Sequence, residues 1–239
     1  MKTINIILLA VLGILILFTA CTKLSPKPQT TELSEIVDIT DTLIAKPKPE
    51  EAISIFNLNN NLWNGADFHL QYITNVSFNT TYEAHLEPEN EWLSNKFQRA
   101  EKVKKFYAEI NKTIANTNTE AVGKDNSAVY FLIAKELNRL SQSKATNRIL
   151  LIYSDLMENT DILSFYNKWT FDQLKTKPEA IEQYFDSQMK LPNLSGIKIY
   201  LIYQPKNTKQ DEDYKLTSSF YKRLLEEKGA TVEITANLN

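Results

Sequence analysis

The chain has 239 residues, of which 43% are hydrophobic and 23% are charged, and its formal net charge is −2. This balance argues against a nucleic-acid-binding surface, which needs an excess of Lys and Arg. With one cysteine, two histidines and five glycines, the chain has no internal disulfide, no Cys/His zinc cluster and no glycine-rich phosphate loop.

The first 20 residues have the pattern of a secretion signal. Lys2 supplies a positive charge, and an apolar run of 13 residues follows from Ile6 to Phe18. This run suits a signal-peptide core and is shorter than the roughly 20 residues that span a bilayer. Small residues and Cys21 end the run, and Phe18-Thr19-Ala20-Cys21 resembles the lipobox of bacterial lipoproteins. The resemblance implies cleavage before Cys21, a diacylglyceryl group on its sulfur and acylation of the new amine.

The same resemblance implies where the protein is located. Thr22, rather than Asp, follows the cysteine, which by the usual bacterial sorting rule favours the outer membrane. No acidic cluster follows Cys21, so we expect a lipid-anchored protein of the cell envelope that faces the periplasm. The alternative is a free Cys21 in a retained anchor.

Residues 21–50 are predicted to be the lipidated cysteine and a flexible tether. Four prolines alternate there with Lys, Thr and Glu, a composition that buries too little apolar surface to order itself. At most a short helical turn is expected, near residues 33–43. The globular domain is predicted to occupy residues 51–239.

Hydrophobic periodicity predicts alternating strands and helices in this domain. The predicted strands are residues 66–73, 148–154, 197–203 and 231–235, with shorter ones at 53–58 and 82–86. The predicted helices are residues 89–115, 126–140, 179–189 and 213–228. Helical spacing places Leu93 and Phe97 on the apolar face of the first helix, and Asp125 or Asn126 is the predicted N-cap of the second. This order indicates a doubly wound, mainly parallel α/β sheet with helices on both faces.

In such sheets, ligands bind beyond the carboxyl ends of the strands. Three predicted segments meet at that edge: Asn75–Asn79, Asn126-Ser127 and Ser154-Asp155. All three offer hard oxygen ligands of the kind that Mg²⁺ prefers.

The order of these segments resembles the von Willebrand factor type A (VWA) family, which carries Asp-x-Ser-x-Ser, then Thr, then Asp at the same edge. The resemblance covers residues 52–239. It implies a degenerate metal site formed by Asn75, Ser77, Asn79, Ser127 and Asp155. Because Asn75 replaces the leading Asp, one carboxylate is left. We therefore expect Mg²⁺ to bind weakly, the site to be mostly unoccupied, and no cofactor to be required.

The VWA resemblance also implies a function, that of a tethered binding domain rather than an enzyme. Its unidentified protein partner would contact Ser77, Asn79, Asp155 and Glu158. One alternative is a lipoprotein that stabilises an envelope assembly through its helices, without metal. Another is a periplasmic hydrolase that uses Asp155 or His85, although the sequence shows no set of nucleophile, base and orienting residue. Asp155 could also simply cap the turn after its strand.

The lipid anchor makes a first testable prediction. Cys21→Ala should leave an uncleaved or soluble chain, because the sulfur that accepts the lipid is absent. The intact mass of membrane-extracted wild-type protein should equal residues 21–239 plus acyl groups. An unmodified Cys21 thiol in that material would refute the anchor.

Overall fold

The computed structural model describes residues 27–40, 43–73, 81–117 and 126–238. The strands in these ranges are β1 (Thr30–Asp38), β2 (Gly65–Ile73), β3 (Thr81–Leu86), β4 (Asn147–Tyr153), β5 (Ile197–Ile202) and β6 (Thr231–Thr235). The helices are α1 (Pro49–Phe56), α2 (Lys96–Thr117), α3 (Val129–Ser141), α4 (Lys168–Thr176), α5 (Pro178–Gln188) and α6 (Thr208–Glu226).

The six described strands form one sheet in the order β3-β2-β1-β4-β5-β6. β3 is antiparallel to β2, and all other neighbouring strands are parallel. The predicted α/β class with a mainly parallel sheet is therefore confirmed. None of the helices in the described ranges is long and apolar enough to cross a membrane.

Helices cover both faces of the sheet. Ser34 of β1 donates a hydrogen bond to Glu136 of α3 (2.6 Å), whereas its neighbour Glu35 lies close to Glu51 of α1. Because successive strand residues point to opposite faces, α1 and α3 lie on opposite sides. α5 packs beside α3, with Tyr130 stacked on Phe185 at 3.9 Å between ring centroids. The fold is thus doubly wound.

β1 lies in a segment that was predicted to be part of the flexible tether. Residues 30–38 were expected to belong to a flexible linker with at most a helical turn, but they form a strand that pairs with both β2 and β4. Every residue from Thr31 to Asp38 is buried. The domain therefore begins well before residue 51. Residues 53–58 were also assigned wrongly, since α1 occupies most of that stretch and Pro49 begins it.

The polar side chains on one face of β1 are paired inside the protein, whereas the buried carboxyl group of Glu35 on the other face has no hydrogen-bond partner among the residues that the structure describes. Glu32 forms an ion pair with Arg139 of α3, and Glu136 accepts hydrogen bonds from Arg139 Nε (2.9 Å) and Gln71 Nε2 (3.0 Å). On the other face, burial and, to a smaller extent, the negative charge of Glu51 together raise the pKa of Glu35 to about 8. Glu35 is therefore mostly protonated at neutral pH, which lowers the cost of burying it.

Several other elements differ from the prediction. α2 begins at Lys96 rather than near residue 89, and Leu93 and Phe97, expected on its buried face, are exposed. α4 was not predicted. β4, β5, β6 and α5 lie within one residue of their expected bounds at each end, because their apolar runs are short and clearly delimited.

The central position of β4 sets the cost of shortening its side chains. Leu151 is fully buried, so Leu151→Ala should lower the free energy of unfolding by about 2–5 kcal/mol. Leu93→Ala is the matched control, because that side chain is exposed and its loss should change stability by no more than about 0.5 kcal/mol. Denaturant unfolding measures both, and equal effects would contradict the position of β4.

Candidate functional site

The sheet has one topological switch point, between β1 and β4. The chain leaves β1 for β2 on one side, and it later leaves β4 for β5 on the other side. Ligands of open α/β sheets bind in the crevice outside the carboxyl ends of the strands at such a point. The residues that follow these strands here are Asp38-Ile39-Thr40 and Ser154-Asp155.

Asp38 joins three segments of the chain at the switch point. Its Oδ1 accepts hydrogen bonds from the backbone N–H (2.9 Å) and the hydroxyl (2.6 Å) of Thr40. Its Oδ2 accepts from the hydroxyls of Ser154 (3.0 Å) and Ser127 (3.4 Å). Asp38 is only 3% exposed, so a buried carboxylate is held among three hydroxyl groups.

A backbone bridge brings Ser127 to this cluster. The N–H of Ser127 donates to the carbonyl of Asn159 (2.8 Å), and the N–H of Asn159 donates back (2.9 Å). Asn159 belongs to the segment that follows β4, so this segment and the start of α3 are fixed to each other. The structure thus brings Ser127 and the Ser154-Asp155 turn to one edge of the sheet, although they are far apart in the chain.

Asp155 lies at the border between the cluster and a cavity of about 820 Å³. Its Oδ1 accepts from the N–H of Met157 (2.9 Å), which is the turn-capping role that the sequence left open. The next residue, Leu156, has a φ of 61°, a left-handed conformation that is strained for a bulky side chain. Such strain is common at functional sites.

Glu158 does not occupy the surface position expected of a partner-binding residue. It is 3% exposed, and its Oε2 accepts from the N–H of Tyr130 (2.8 Å) in the first turn of α3. The N-cap of α3 is Ala128, not Asp125 or Asn126, and its side chain makes no capping bond. Glu158 therefore satisfies the free N–H groups of this helix, and a partner cannot reach it.

Burial raises the pKa of Glu158 to about 8. The backbone N–H groups of Tyr130 and Val129 act in the opposite direction, and the negative charge of Asp38 raises the pKa further. Two carboxyl groups thus lie close together beneath the switch point, and their proximity favours the protonated form of Glu158.

The strand that precedes the first predicted motif, β2, does not flank the switch point. Asn75, Ser77 and Asn79 lie outside the described residues, in the segment after β2, which is one strand away from it. The strand that flanks the switch point together with β4 is β1. The sequence that follows β1 is Asp38-x-Thr40-x-Thr42. An acidic residue followed by hydroxyl residues at the second and fourth positions was the signal that the sequence interpretation missed, because this segment was assigned to the tether.

His85, one of the two hydrolase candidates, lies far from Asp155. It contacts Asp67 and Glu87 near the start of β2, whereas Asp155 follows the end of β4. The two candidates therefore stand at opposite edges of the sheet. Among the residues that the structure describes, no group of three or more His, Cys, Asp or Glu side chains is placed to hold a metal ion. The Asp38 cluster differs in kind, because most of its oxygens are hydroxyls.

No family model matches the chain, and no curated protein matches its sequence. The fold and the site define a doubly wound α/β domain with a hydroxyl-rich carboxylate cluster at its switch point.

The buried Glu158 makes stability depend on pH. Its pKa is raised from 4.5 to about 8, so the folded state retains a proton that the unfolded state releases. Its contribution to stability is complete below pH 4.5 and is lost as the pH rises towards 8. Glu158→Gln stays neutral and can still accept from Tyr130, so its melting temperature should fall less over this range than that of the wild type.

Thermal unfolding at a series of pH values measures this difference. Asp161→Asn is the control, because Asp161 lies in the same segment but is exposed, and it should keep the wild-type pH profile. A Glu158→Gln profile parallel to the wild type would show that Glu158 is ionised in the folded protein.

Proposed function

We propose that this protein is an envelope lipoprotein, anchored through Cys21, whose α/β domain binds a protein partner at the carboxyl edge of the sheet with the help of a divalent cation. The observation that carries the proposal is the Asp38 cluster, in which three hydroxyl groups from separate segments converge on one buried carboxylate.

The donor set fits Mg²⁺. The hydroxyls of Thr40, Ser127 and Ser154 donate their protons to Asp38, which leaves the lone pairs of each oxygen as acceptors. One lone pair of Ser154 accepts from the N–H of Leu156 (2.9 Å), and the other can face a cation. Asp155 follows Ser154 directly and supplies a second carboxylate to the same turn. Hard oxygen ligands and few charges are typical of Mg²⁺ sites that keep coordinated water. With Asp38 rather than Asn75 in the leading position, the site has two carboxylates, and tighter binding is expected.

The corrected motif strengthens the resemblance to the VWA family. Asp38-x-Thr40-x-Thr42, Ser127 and Ser154-Asp155 stand in the order Asp-x-Ser-x-Ser, Thr, Asp. Thr replaces Ser twice and Ser replaces Thr once, so each change keeps the hydroxyl group. The resemblance supports a binding role. A cation held by neutral hydroxyls and two carboxylates keeps sites for an oxygen ligand from the partner.

The surface beside Asp155 has the composition of a protein interface. Phe165, Phe171 and Tyr203 line the neighbouring cavity, and Tyr166 and Trp169 are 64% and 73% exposed close to it. Exposed aromatic residues around a recess are enriched at protein interfaces. A partner could fill this cavity with an apolar side chain while it approaches the cation.

The cation is tested by thermal unfolding of the full chain with Mg²⁺ and with EDTA. Mg²⁺ at ten times its dissociation constant should stabilise the wild type by about 1.4 kcal/mol, and EDTA should reverse the effect. Asp38→Asn should abolish the response. Because Asp38 is buried, the partly exposed Asp155→Asn serves as a second variant, and Asp161→Asn should respond like the wild type. A wild-type melting temperature that is indifferent to Mg²⁺ would reject the cation.

The partner is tested by photo-crosslinking of the lipoprotein in native membranes. A crosslinking amino acid at Tyr166 should give a protein adduct that EDTA reduces, because that position borders the proposed site. The same amino acid at Lys104, on the exposed face of α2, is the control and should give none. Adducts at Lys104 that are insensitive to EDTA would favour the alternative of an assembly lipoprotein that works through its helices.

A further inference from the structure

We propose that the edge of the sheet opposite the carboxyl edge, where β1 begins, lies on the lipid bilayer. It would contact the bilayer through an apolar patch made of Trp92, Leu93 and Phe97, hereafter the lower patch. This inference depends on the lipid anchor of the proposed function and adds an orientation to it. The carboxyl edge would then point away from the membrane.

The lower patch is an exposed apolar surface held in a defined shape. Trp92, Leu93 and Phe97 are 82%, 87% and 84% exposed, although the sequence pattern predicts two of them on a buried helix face. Asn90 Oδ1 accepts from the N–H of Trp92 (2.9 Å), and Asn95 Oδ1 accepts from the N–H of Phe97 (2.9 Å). These bonds fix the turn before α2, so the three side chains project from an ordered backbone.

Arg99 places the lower patch at the edge of the sheet where β1 begins. Its side chain is almost fully buried. It donates from Nε to the carbonyl of Leu62 (2.8 Å), from Nη1 to that of Glu87 (2.8 Å) and from Nη2 to that of Asn64. These carbonyls lie just outside β2 and β3, near Gly65.

Gly65 pairs with Thr30, the first residue of β1. A Cβ on Gly65 would lie 2.7 Å from the Thr30 hydroxyl and 2.8 Å from Pro88, so the start of β1 and the segment leading to the lower patch are in close contact. The chain from Cys21 therefore enters the domain beside the lower patch.

The distance to the anchor is short. Only residues 22–29 separate Cys21 from β1, and a chain of that length spans at most about 30 Å. A lipid on Cys21 therefore keeps the edge of the sheet that carries the lower patch near the membrane. Trp is enriched at membrane interfaces, where its ring lies at the headgroup level. Phe and Leu add apolar surface that strengthens membrane binding beyond the acyl chains. A bilayer is thus the occupant that both the position and the chemistry of the lower patch favour.

The experiment uses the full lipidated chain in vesicles whose phospholipids carry brominated acyl chains, which quench nearby tryptophans. The wild type is compared with Trp92→Phe and with Trp169→Phe, and Trp63 is common to all three proteins. Trp169 is the matched control, because it is also exposed but directly follows Lys168, which lines the cavity beside Asp155. Trp92→Phe should remove most of the quenching, whereas Trp169→Phe should retain it.

Other outcomes overturn the proposal in distinguishable ways. If the protein floats with the vesicles and Trp92→Phe leaves the quenching unchanged, the lower patch is not in the bilayer, although the anchor stands. If the protein stays in solution with an unmodified Cys21 by mass, the anchor and the lower patch both fail. If Trp92 is shielded from aqueous acrylamide but not quenched by the lipids, a second copy or another protein covers the lower patch, and the bilayer is excluded.

Discussion

The central position of β1 is the constraint on which the rest of the structure depends. Since this strand lies in the middle of the sheet and is buried along its length, its polar side chains cannot turn to solvent. Glu32 and Ser34 bind partners on α3, whereas Glu35 has no hydrogen-bond partner within the described part of the chain and a raised pKa. Arg139 of α3 forms ion pairs with two buried carboxylates, Glu32 of β1 and Glu136 of α3. These contacts fix α3 against β1, and the segment leading into α3 carries Ser127. The contacts of Glu32 and Ser34 with α3 therefore help to hold the hydroxyl of Ser127 near Asp38.

The carboxyl edge combines two acidic groups with different surroundings. Asp38 accepts bonds from hydroxyls, whereas Glu158 accepts from the backbone at the start of α3. Burial and the negative charge of Asp38 both favour a proton on Glu158. A cation beside Asp38 would reverse this balance, since a positive charge favours ionised carboxylates. Cation binding and loss of a proton from Glu158 would then be coupled.

The sequence predicted the elements whose hydrophobic pattern is local. β4, β5 and β6 are short apolar runs between clear boundaries, and together with the helices they determine a parallel sheet. β1 was not predicted because Glu32, Ser34 and Glu35 give it the composition of a linker. The partners of Glu32 and Ser34 lie on α3, which is distant in the sequence. The same error hid Asp38, which a local pattern could have identified. By contrast, the helix cap supplied by Glu158 had no local signal at all.

β1 also connects the two ends of the molecule. Its first residue follows the segment that leads from Cys21, and its last residue is Asp38. A force that separated the segment before Thr30 from the Asp38 cluster would load this one strand along its length. In that direction the hydrogen bonds to β2 and β4 are sheared together, so no single bond can open first. The topology therefore suits β1 to resist tension between the start of the domain and the Asp38 cluster, the direction in which the proposed anchor and the proposed partner would pull.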